Sequence, residues 1–92
     1  MPSEFKVVYP GYVLLQYRII ALKARALGFE EKILELGKLI DHQLRTNPRE
    51  FGDPSHTLGD LEIYSRFISP LVVYYGVHKT QDVVFVRKLS LT

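Results

Sequence analysis

Ile63-Tyr64-Ser65-Arg66-Phe67-Ile68-Ser69-Pro70-Leu71-Val72-Val73-Tyr74-Tyr75-Gly76-Val77 is the stretch on which the fold turns. β-Branched and aromatic residues fill both flanks of Ser69-Pro70, a pair that favours a turn over continued strand. The spacing predicts two strands, Leu61 to Ile68 and Leu71 to Val77, joined tightly enough that they must run antiparallel. Lys79-Thr80-Gln81-Asp82 makes the next turn, and Val83 to Leu89 the next strand.

Upstream, Arg49 to Gly59 contains Gly52, Asp53-Pro54, Ser55 and Gly59, which predicts a loop. Before it lies a helix from about Glu30 to Arg45, with acids in its first turn and Arg45 in its last, as the helix dipole favours. Ile33, Leu36, Ile40 and Leu44 recur at helical spacing, with Leu34 and Leu39 widening the apolar stripe, and Asn47-Pro48 ends it. A first helix, Tyr12 to Leu27, is free of Gly and Pro and stops at Gly28, a C-terminal capping residue. So short a link folds the two helices into a hairpin. Phe5 to Tyr9, stopped by Pro10-Gly11, is the first strand. The expected fold is one α+β domain over residues 1–92, β-α-α-β-β-β, a helical hairpin on a mainly antiparallel four-stranded sheet.

Composition narrows the function. The chain has 92 residues, so one domain with one core is expected. It has 47% hydrophobic and 24% charged residues, the balance of a globular protein. There is no cysteine, which removes disulfides and thiolate metal sites and points to the cytoplasm. Met1-Pro2-Ser3-Glu4-Phe5-Lys6 has no apolar leader pattern, and no apolar run approaches membrane-spanning length, so no membrane partner is expected. A net charge of +2 neither demands nor forbids nucleic acid. His42, His56 and His78 have no metal-ligand spacing, and the glycines stand singly rather than in a phosphate loop, so neither metal nor cofactor is expected.

The element order, the opening stretch and the helix exit Leu44-Arg45-Thr46-Asn47-Pro48 together resemble the RelE/ParE toxins of bacterial toxin–antitoxin pairs. The likeness covers nearly the whole chain. It implies a toxin neutralised by a cognate antitoxin protein, acting either on ribosome-bound mRNA as a metal-free endoribonuclease or on DNA gyrase. The sequence departs from the family where its cations should stand: Gly76 and Val72 occupy positions where arginines are expected. The chain also ends at Thr92, soon after the last strand.

In-line attack by a 2′-hydroxyl needs a proton acceptor, an acid for the leaving group and cations for the developing charge. If Leu61, Ile63 and Phe67 face the helices, alternation puts Glu62, Tyr64, Arg66 and Ile68 on the open face. The next strand adds either Val72, Tyr74 and Gly76 or Leu71, Val73 and Tyr75, and the last strand adds Arg87 or Lys88. The expected site is Tyr64, Arg66, Tyr74 and Arg87 or Lys88. The resemblance makes Arg66 and Arg87 the phosphate contacts and Tyr64 or Tyr74 the proton-transfer group. The competing reading is a solvated sheet face with half-buried tyrosines.

The first helix carries more apolar surface than one sheet buries. Val13, Tyr17, Ile20 and Ala24 are therefore the expected partner-binding residues, for an antitoxin segment or a second copy in a homodimer. The alternative function is a non-catalytic binding module that acts as an oligomeric scaffold.

Overall fold

A computed structural model describes residues 4–92. Met1-Pro2-Ser3, the start of the stretch read for a leader, lies outside them. The elements are β1 (Lys6–Val8), α1 (Gly11–Leu27), α2 (Glu30–Thr46), α3 (Pro48–Phe51), β2 (Asp53–Leu58), β3 (Leu61–Ile68), β4 (Leu71–His78) and β5 (Val83–Leu91). They form a helical pair on a single five-stranded mixed sheet ordered β1-β5-β4-β3-β2.

Two features correct the expected four-stranded, mainly antiparallel sheet. The predicted loop contains the short helix α3 and an edge strand, β2, antiparallel to β3. All six β2 residues are exposed, so no apolar alternation marks the strand, and Pro54 sits on a sheet edge beside a bulge, where its missing N–H is tolerated. At the other edge β1 runs parallel to β5, with Lys6 opposite Val83 and Val8 opposite Phe85. The α1–α2 hairpin carries the chain from β1 at one edge of the sheet towards β2 at the other, and three antiparallel turns of the meander later bring β5 back beside β1.

Gly28 ends α1 in the left-handed region at φ 85°. Its N–H bonds the Arg25 carbonyl, and the next N–H, of Phe29, bonds that of Ala24 at 2.8 Å, closing a Schellman cap. The inner stripe of α1 (Val13, Ile20, Ala24) and that of α2 (Ile33, Leu36, Ile40, Leu44) pack on Leu71, Val73, Tyr75, Val77, Val84 and Val86 of the sheet. Leu34 and Leu39 do not widen the α2 stripe: both are exposed.

The cross-strand register reverses the face assignment read for β3. Ile63 stands opposite Gly76 and Ser65 opposite Tyr74, so these four share the open face. Tyr64 stands opposite Tyr75 and Arg66 opposite Val73, on the side of the core. Tyr64 and Tyr75 are stacked, with ring centroids 5.5 Å apart.

Candidate functional site

Strand β5 contains the irregularity that builds the site. Tyr74 pairs with Lys88 but Tyr75 pairs with Val86, so Arg87 is an extra residue on β5. A β-bulge of this kind re-aims side chains and breaks the alternation. Val86 and Leu89 both stay buried, and the two residues between them are both exposed. Arg87 and Lys88 therefore do not take opposite faces, as simple alternation requires, but both point away from the core. The Leu89 N–H, next to the bulge, donates to Oε1 of Gln16 on α1 at 2.9 Å.

These two cations border a cleft of about 390 Å³ with Tyr12, Ser55, His56, Ile63, Ser65 and Tyr74 around it. Nζ of Lys88 lies 5.8 Å from the centroid of the Tyr74 ring, a cation–π contact across the cleft wall. The Ser55 hydroxyl lies 2.8 Å from Nδ1 of His56, which leaves Nε2 to meet a ligand. Among the described residues, no carboxylate lines this cleft. Two cations, an imidazole and an aromatic face, without an acid, suit an anion attached to a planar group.

Of the site residues expected from sequence, the cleft brings together the side chains of Tyr74 and Arg87 and adds Lys88. Tyr64 contributes to its floor from β3, but its ring is buried against Tyr75, and burial raises its pKa. Arg66 lies elsewhere, its guanidinium 5.4 Å from the centroid of Phe51. At Gly76, where an arginine is expected, a Cβ would stand 3.1 Å from Leu61 and 3.2 Å from Ile63, so those side chains would have to shift to admit any side chain. His78 is held in structure, its Nδ1 accepting the N–H groups of Thr80 and Gln81 in the β4–β5 turn.

Sequence reasoning missed Ser55, His56 and Tyr12, and took Arg87 and Lys88 as alternatives. One signal was available. In Val86-Arg87-Lys88-Leu89 the apolar residues stand three apart, a spacing that a flat strand with one buried face cannot satisfy.

The expected partner-binding residues are corrected as well. Val13, Ile20 and Ala24 are buried in the core, and Tyr17 is half-buried. Tyr17 lines a second, mostly apolar hollow of about 490 Å³ between α1 and α2, with Leu14 and Leu34 also around it. Beside it the Tyr9 hydroxyl donates to Asp41, which also accepts Nε of Arg45 at 2.8 Å. Leu14, exposed, borders this hollow, while Tyr12, Leu15, Ile19 and Leu22 are exposed on the other side of α1.

Set against protein-family models, curated proteins and solved structures, the chain matches none of them. Fold and geometry define an α+β protein with a helical pair on a five-stranded mixed sheet and a basic, aromatic cleft. No helix among the described residues is long and apolar enough to cross a membrane.

Proposed function

We propose that this chain is the toxin subunit of a bacterial toxin–antitoxin pair of the RelE/ParE kind, and that the cleft contacts RNA. The observation that carries the reading is the β5 bulge, which sets Arg87 and Lys88 together beside Tyr74 and His56. The two cations match the two negative charges that develop on the phosphorane when a phosphodiester is attacked, and the Tyr74 ring offers a base a stacking surface. His56 accepts the 2′-hydroxyl proton as that oxygen attacks phosphorus. The bond to the 5′-oxygen breaks, and this oxygen takes a proton from the Lys88 ammonium or the Tyr74 phenol. A cyclic phosphate and a free 5′-hydroxyl result. The sites expected at Tyr64 and Arg66 have no part in this reading.

The test is induction of the chain alone in a bacterial host, with cellular mRNA mapped by primer extension. Growth arrest with cut mRNA, both lost in Lys88→Ala and His56→Ala, is the expected result. Arrest without cleavage points to a protein target such as gyrase and overturns the RNA reading. Soluble expression without arrest overturns the toxin reading and favours the second one, a non-catalytic binding module. The apolar surface exposed on α1 is the observation behind that second reading.

A further inference from the structure

Helix α1 has a second apolar seam, facing away from the core. Tyr12, Leu15, Ile19, Leu22 and Ala26 alternate in steps of three and four, and all five are exposed. The exposure is substantial: 55% at Tyr12, 55% at Leu15 and 57% at Leu22. With Tyr12, Ile19 and Ala26 at the a positions of a heptad and Leu15 and Leu22 at d, Arg18 and Arg25 fall at g and Gln16 and Lys23 at e. Gln16 is turned to Leu89. The other three flanking residues are cations, and α1 contains no acidic residue.

We infer that this seam docks an α-helix from a partner protein, a heptad helix with Leu or Ile in its own seam and Glu or Asp at its flanks. Between Arg18 and Arg25 on one side and Lys23 on the other the apolar residues keep to a and d, the width that fits one helix laid alongside; Leu14 and Leu27, also exposed, lie outside this stripe. A lipid-seeking helix presents a broader apolar face. A second copy of this chain would set Arg18, Lys23 and Arg25 against the same cations, an arrangement that like-charge repulsion disfavours. Acidic flanks on the partner turn that repulsion into complementarity, which selects the partner as well as binding it. The inference rests on α1 alone, and it holds whether or not the cleft cuts RNA.

The experiment is a fluorescence-anisotropy titration of the full chain with two labelled peptides of about four heptads. Both have Leu at a and d; one has Glu at every e and g position, the other Lys. The acidic peptide is expected to bind about tenfold or more tightly than the basic one, with the difference shrinking as salt rises. Leu15→Gln/Leu22→Gln alters only exposed positions and should abolish binding with an unchanged circular dichroism spectrum. Arg18→Glu/Arg25→Glu should reverse the preference between the peptides. Equal binding of both peptides, or no binding, overturns the inference. So does a concentration-dependent dimer in sedimentation that Leu15→Gln/Leu22→Gln abolishes. Binding to phosphatidylcholine–phosphatidylglycerol vesicles that the same variant loses, without peptide binding, also overturns it.

Discussion

Tyr74 lies opposite Lys88 across β4 and β5, while its neighbour Tyr75 lies opposite Val86. The skipped residue, Arg87, is the reason two cations share one face, so the bulge is the structural origin of the cleft. Beside the buried Val86 and Leu89 side chains, the bond from the Leu89 N–H to Gln16 Oε1 ties the bulged strand to the helix layer. Gln16→Leu removes the acceptor and leaves that N–H partly buried without its partner. Stability should fall by about 1–2 kcal/mol, the cost of an unsatisfied buried donor, measured as a lower midpoint in urea with unchanged slope. Lys88→Ala, at an exposed position, should change stability by no more than about 0.5 kcal/mol while abolishing RNA contact. Equal stability losses in the two variants would show that Gln16 has no special part in holding the bulge.

Gly52 and Tyr75 form a tighter dependence. Tyr75 is buried, and its hydroxyl donates to the Pro48 carbonyl at 2.6 Å. A Cβ on Gly52 would press into that hydroxyl and stand 3.0 Å from the Ser65 carbonyl oxygen. The φ of Gly52 is −110°, open to any residue, so space and not backbone freedom demands the glycine. Gly52→Ala should cost about 1–3 kcal/mol by overpacking, and Tyr75→Phe about 1–3 kcal/mol by stranding the Pro48 carbonyl. Removing the hydroxyl also relieves most of the crowding at position 52. The double variant should therefore lose less than the sum of the two, by more than about 0.5 kcal/mol. Additive losses in a denaturation cycle would mean the two residues act apart.

These residues also show where reading the sequence succeeds. Both long helices, their hairpin and the three strands from Leu61 onward are legible because each has a strong periodic pattern and a clear stop, such as Gly28 or Ser69-Pro70. Strand β2 is not, because an edge strand exposed at every position shows no burial pattern, and Pro54 and Gly52 read as breakers. The face of β3 is not, because Ile63 and Tyr64 are both buried, one under the open face beside Gly76 and one against Tyr75. With adjacent residues both buried, alternation cannot choose between faces. Which stripe of α1 stays exposed is hidden for a similar reason. Two apolar stripes share α1, and composition alone cannot say which one the core takes.

Asp41 gives an acid-side prediction. The Arg45 guanidinium, aided by the Tyr9 hydroxyl, holds its carboxyl below the usual range, against the opposing effect of partial burial. A depressed folded-state pKa contributes stability at pH above the unfolded value of about 4, and that contribution is lost as pH falls through the folded value. Asp41→Asn should therefore be less stable than the parent at pH 7. The gap between the two should narrow progressively in urea titrations below about pH 4. The group is partly exposed, so added salt should narrow it as well. A gap that stays constant down to the lowest accessible pH would show that Asp41 contributes as a neutral hydrogen-bond acceptor and not as a charge.

The alkaline side depends on two tyrosines. Burial, the largest cause, raises the pKa of Tyr75. Burial again, with the hydrogen bond to Asp41, raises that of Tyr9. A folded-state pKa above the unfolded value of about 10 means that the neutral phenol is the form the fold holds. Stability from these groups is therefore complete below about pH 10 and lost as pH rises beyond it, by up to about 1.4 kcal/mol per pH unit for each phenol. Denaturation midpoints should be flat between about pH 7 and 9 and fall steeply from about pH 10. Tyr75→Phe and Tyr9→Phe start from lower stability, yet each should flatten that fall by about one proton's worth, and the double variant should keep only the smaller fall due to Tyr17 and Tyr64, whose pKa burial also raises. If the fall persists undiminished in the double variant, its source lies outside these two residues, and the buried phenols do not set the alkaline limit of the fold.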